Sequence, residues 1–286
     1  MYDTLTQATS ADLHDFATLT PAEIGRRGEK MDAWGASGMH CPKAQALERL
    51  GHQGRVRSPS DIRRMAAGSR VHDFTLRQFQ TLGTVHLPPE WCVACDRPME
   101  AHHDPDEWHL YSEARGISTS LDLLIHNWEE PGYDPWLRSL RDRGLSRFGN
   151  VGPLAVEVKS VEANALYYLS KGVLVTWKRQ LGTMMLLHSE DPTLLPVVPE
   201  RWEILVVPMD KSVKGEFPSA VAVPAQEAWM DEAAAYIERR HTAWTAGDLP
   251  ACECAPPFNH YYSKLGRQTG FCPFSTGSQD CCEVAS

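Results

Sequence analysis

Asp122 closes the segment ISTSLD, and Glu157 and Lys159 stand one residue apart in AVEVKS. On a β-strand, residues i and i+2 share a face, so Glu157 and Lys159 project together. If the Asp122 strand pairs alongside, two carboxylates and an ammonium converge at one sheet end. Hard oxygen ligands suit Mg²⁺ or Mn²⁺, which keep several waters. Such an ion would polarise a phosphoryl oxygen and acidify a water, while the lysine orients that water and offsets transition-state charge. An ExK triplet also fits a surface ion pair, so the pattern around it has to decide.

Eight cysteines are the second chemical resource. The chain opens with polar and acidic residues rather than a secretory signal, so the expected compartment is cytoplasmic and reducing. There, metal or cluster ligation is a better first reading of the cysteines than a disulfide framework. WCVAC, with Cys92 and Cys95, is a CxxC that suits zinc if His102, His103 or His109 completes the set. Pairing with spare tail cysteines and plain unligated thiols stay open beside it.

Elements of both kinds are needed to position these groups. Residues 58–83 carry a helical pattern through Ile62, Met65, Val71 and Leu76, with Ser60 as the cap. EWHLYSEA and ISTSLDLLIHNW predict two strands joined by a turn at Arg115 and Gly116. GPLAVEVKSV, RWEILVVPMD and PSAVAVP predict further strands. YLSKGVLVTWKRQLGTMMLLHS and AQEAWMDEAAAYIERRHTAWTAG predict helices. LPPEWCVACDRPMEAHHDPDE reads as a loop-like insertion over about 87–106. At 286 residues the chain can bury a real core, and it has no apolar run of membrane-spanning length. A net charge of −9 does not advertise nucleic-acid binding, so any DNA contact rests on local patches such as Arg138, Arg141, Arg143 and Arg147.

Taken in order, these features resemble the RecB-like exonucleases of the PD-(D/E)XK class, in their CRISPR-associated and phage branch that carries an iron–sulfur cluster. The likeness begins with SGMHCPKAQALERLG, continues through GSRVH, EWHLYSEARGISTSLDLLI, AVEVKS and TWKRQLGTMML, and ends in DLPACECAPPF and GFCPFSTGSQDCC. It implies an α/β fold with a PD-(D/E)XK restriction-endonuclease-like core: a central mixed sheet flanked by helices, and an iron–sulfur helical subdomain formed by both chain ends. It makes His72, Asp122 and Glu157 the metal ligands for Mg²⁺ or Mn²⁺, with Lys159 and Gln180 completing the catalytic set. Met184 stands where that family usually has a tyrosine on the glutamine helix.

The same resemblance implies a 4Fe-4S cluster on Cys41, Cys252, Cys272 and Cys281, with Cys254 as alternate to Cys252 because Thr269 replaces a usual cysteine, and Cys282 as alternate to Cys281. The organisation expected is an N-terminal segment (1–57), a nuclease core (58–248) and a cysteine-rich tail (249–286). The implied activity is metal-dependent DNA exonuclease action on single strands or ends, in phage recombination or CRISPR spacer processing. Partners would be DNA and proteins of those pathways, with no membrane and with oligomers allowed. The competing reading is a catalytically weak nuclease fold kept for binding DNA or a partner.

Overall fold

The computed structural model describes residues 34–36, 39, 41–50, 59–81, 85–92, 97–98, 107–125, 153–163, 166–169, 172–210, 220–251 and 253. Its elements in chain order are β1 (Trp34–Gly35), α1 (Pro42–Arg49), α2 (Pro59–Thr81), β2 (Val85–His86), β3 (Trp91–Cys92), β4 (Arg97–Pro98), β5 (Trp108–Ser112) and β6 (Ile117–Leu121). There follow β7 (Leu123–Ile125), β8 (Leu154–Val161), α3 (Leu166–Leu169), α4 (Val175–Glu190), a 3₁₀ turn (Pro192–Leu194), β9 (Arg201–Pro208), β10 (Val221–Pro224) and α5 (Ala228–Thr245). This is a mixed α/β arrangement.

The larger sheet runs β10-β9-β8-β7-β2, with β8 and β9 parallel and the other pairs antiparallel. Parallel neighbours need a crossover, and α4 lies on it. The central strands are buried on both faces, which is why LAVEVKSV and EILVV read as nearly continuous apolar runs around Glu157 and Lys159. One face packs Leu154, Val156, Val158 and Leu205 against Leu76 and Phe79 of α2. The opposite face packs Ala155, Val161 and Ile204 with Leu181, Met184 and Leu187 of α4 and Trp229 and Tyr236 of α5. A smaller sheet, β1-β6-β5, joins β1 parallel to β6 and β5 antiparallel to it.

Two glycines permit close approaches. A Cβ on Gly68 would lie 2.8 Å from Ser160 Oγ, so α2 sits tight on β8 one turn before His72. A Cβ on Gly182 would collide with the Trp229 carbonyl, so α4 and α5 meet backbone to backbone there.

The structure departs from the sequence expectations at four places. ISTSLDLLI is two strands rather than one, because the chain passes from the smaller sheet to the larger at Asp122. The helix expected from Tyr168 starts at Val175, after Gly172 takes a φ of 134° that a continuing helix cannot hold. Ser60 lies inside α2, whose first residue is Pro59, a position where a missing N–H costs nothing. The insertion contains a two-stranded hairpin, β3 with β4. No helix among the described residues is long and apolar enough to cross a membrane.

Candidate metal-dependent active site

The pairing of β7 with β8 sets the site. Leu123 is opposite Val156, so Asp122, one residue earlier, sits beside the ExK segment. Asp122 Oδ2 accepts a 2.6 Å hydrogen bond from the Val158 backbone N–H. Its other oxygen, Oδ1, lies 3.1 Å from His72 Nε2, which α2 brings in from the far side.

Glu157 and Lys159 project together toward α4, as the strand period requires. Lys159 Nζ donates to Glu157 Oε1 at 2.5 Å and to Gln180 Oε1 at 2.8 Å. Gln180 Nε2 donates to the same Glu157 oxygen at 2.7 Å. The three side chains therefore form a closed ring of hydrogen bonds. Glu157 Oε2 is left buried with no hydrogen-bond partner among the described residues.

The second half of the cluster comes from β5. Trp108 pairs with Leu121, so Glu107, one residue outward, faces Asp122. One ligand atom from each of His72, Glu107 and Asp122 lies within 4.8 Å of the other two. Sequence reasoning singled out His72 and Asp122 and missed Glu107. Its only sequence signal was that it heads the strand preceding the aspartate strand. Glu157, expected as a ligand, is outside that close trio but beside it, through the Asp122–Val158 hydrogen bond.

Charge crowding shows in the proton affinities. Burial pushes the His72 imidazolium down, but its hydrogen bond to Asp122 and the carboxylates of Asp122, Glu107 and Glu157 outweigh it, leaving the pKa at about 9. Burial raises the Glu157 carboxyl, Asp122 adds to this, and Lys159 offsets only part. Lys159 is held cationic: burial opposes its charge, and Glu157 and Asp122 more than restore it. The site carries more negative charge than its own cations neutralise comfortably. An unpartnered buried oxygen and a His–Glu–Asp trio fit a hard divalent cation such as Mg²⁺ or Mn²⁺.

Met184, at the position of the resembling family's tyrosine, is fully buried in the core cluster. Cys41 is buried after β1, and Cys92 is buried with Sγ 3.1 Å from His109 Nδ1. Cys95, Cys252, Cys254, Cys272, Cys281 and Cys282 lie outside the described residues, as do Arg138, Arg141, Arg143 and Arg147.

No protein-family model and no curated protein matches the chain. One solved structure, described as "Crystal structure of SSO0001", is similar over 80% of this chain and 81% of its own, at 10% identity and a TM-score of 0.36. At that distance no residue role is carried over from it.

Proposed function

We propose that the chain is a metal-dependent DNA exonuclease with a PD-(D/E)XK restriction-endonuclease-like core. The observation that carries this reading is the convergence of Asp122, Glu157, Lys159, His72 and Gln180 on one sheet end, from four separate stretches of sequence. His72, Asp122 and Glu107 would hold a Mg²⁺ or Mn²⁺ ion, with the free oxygen of Glu157 available to it. The ion would supply Lewis acidity for a phosphoryl oxygen and an acidified water. Lys159 keeps its proton and presents positive charge where the transition state gains negative charge. Gln180 fixes the Lys159 ammonium and the Glu157 carboxylate relative to each other, so neither must reorganise during the reaction.

The 4Fe-4S cluster on Cys41, Cys252 or Cys254, Cys272 and Cys281 or Cys282 belongs to the same proposal. Arg179 supports it: its Nη1 donates to the Met39 carbonyl, two residues before Cys41, and its Nη2 donates to Glu253, between Cys252 and Cys254. Met39 and Glu253 are thereby tied to one helix. Protein purified without oxygen should be brown. A colourless protein with intact cysteines would remove the cluster and leave the nuclease reading standing.

The test of the nuclease reading is incubation with end-labelled single-stranded DNA. The label should be released with Mn²⁺ and not with chelator. DNA binding without release in any divalent ion would favour the alternative, a nuclease fold kept for binding.

A further inference from the structure

Cys92 is the last residue of β3, and the hairpin pairs Trp91 with Pro98 and Cys92 with Arg97. Two strands of two residues each cannot hold a hairpin in place by their own ladder. Yet Cys92 is buried at 3% exposure, and its Sγ lies 3.1 Å from Nδ1 of His109 on β5, seventeen residues further along. A thiol and an imidazole nitrogen are the two side-chain groups that zinc takes most readily. In a closed tetrahedral site they sit about 3.5 Å apart, from bonds of about 2.3 Å to sulfur and about 2.0 Å to nitrogen. The observed separation is within half an ångström of that edge.

We propose that Cys92 Sγ and His109 Nδ1 are two ligands of a structural zinc ion that fastens the end of β3 to β5. Binding releases the Cys92 thiol proton and leaves the thiolate on the metal. Cys95, three residues on, lies outside the described residues; its CxxC spacing makes it the first candidate for a further ligand, to be tried by substitution.

The position gives the zinc a structural purpose. Glu107, just before β5, stands two residues from His109, about 7 Å along an extended chain. Fixing His109 fixes the register in which Glu107 meets Asp122. The two centres differ in chemistry: thiolate and imidazole select zinc, whereas the carboxylate-rich trio selects a hard ion. This inference is independent of the nuclease reading, because zinc content and DNA cleavage are measured separately.

The experiment uses the full chain, purified with zinc, dialysed against a weak chelator and analysed for metal, then substituted with Co²⁺. We expect about one tightly held zinc per chain and a thiolate-to-cobalt charge-transfer band. Cys92→Ser and His109→Ala should lose both, His109→Cys should keep the zinc and strengthen the band, and Asp122→Ala should keep both. If Cys92→Ser does not fold, the His109→Cys comparison decides alone. Zinc content and band unchanged by Cys92→Ser, His109→Ala and His109→Cys would overturn the proposal. So would wild-type protein that takes up neither metal with thiolate ligation, leaving only a thiol–imidazole hydrogen bond.

Discussion

Glu157 Oε1 takes hydrogen bonds from both Lys159 and Gln180, whereas the buried Oε2 takes none from the described residues. A buried carboxylate oxygen without a donor is costly unless a cation meets it. That cost sets a pH dependence. His72 has a folded-state pKa of about 9, raised from 6.5, so the stability it contributes is complete below pH 6.5 and is lost as pH rises through 9. Glu157 is also shifted upward, so its contribution declines in the same direction. The metal-free protein should therefore lose thermal stability as pH rises from 6 toward 9. Mn²⁺ competes with the same protons, so the increase in Tm that it causes should grow over that range. Melting in chelator and in Mn²⁺ across these pH values checks both; a Mn²⁺ effect that shrinks with pH would refute the ligand assignment. Glu107→Gln should weaken Mn²⁺ binding about tenfold or more, measured by calorimetry, because a charged ligand is lost. Asp122, Glu157 and Lys159 were legible in the sequence because a strand's period of two puts Glu157 and Lys159 together. Glu107 was not: it is one of three acidic residues in DPDE, and only the register of β5 with β6 selects it.

Helix α4 brings Gln180 to the hydrogen-bonded ring with Glu157 and Lys159, and Arg179 to Met39 and Glu253. Its placement depends on Gly182, which faces the Trp229 backbone. Gly182→Ala should destabilise the protein by about 2 kcal/mol or more, because a backbone carbonyl cannot move aside as a side chain can. Urea unfolding measures this. Arg115→Ala, which removes a two-pronged ion pair from the β5–β6 turn to Glu190 at the end of α4, should cost under about 1 kcal/mol because the pair is partly exposed. Long elements with a clear period, such as α2, β8, β9 and α5, were readable in outline. The break at Asp122 was hidden because ISTSLDLLI is apolar enough to pass as one strand. The delayed start of α4 came from Gly172, and strands of two residues leave no period to read.

Across the described residues, the segments holding Met39, Gln45 and Glu253 meet on the buried guanidinium groups of Arg179 and Arg240. Arg179 also stacks 4.4 Å over the Tyr236 ring, and Arg240 donates to Gln45 of α1 while lying 4.4 Å over Trp34. Arg179→Ala takes the buried guanidinium from Glu253, which keeps its pair with Arg239, and should cost about 2 kcal/mol or more in urea unfolding. If both ends are also joined by a cluster, the same substitution should speed its loss in air, read as bleaching of the visible absorbance. The fold's α/β character was legible from alternating strand and helix patterns. The tie at Arg179 was not, because TWKRQLG gives no sign which of its basic residues is buried. The most direct measurement follows DNA binding and label release on one sample, comparing the wild type with Glu157→Gln in Mn²⁺. The account predicts that both bind single-stranded DNA and that Glu157→Gln releases label at least about a hundredfold more slowly. Equal release by the two proteins, or none by the wild type, would contradict it.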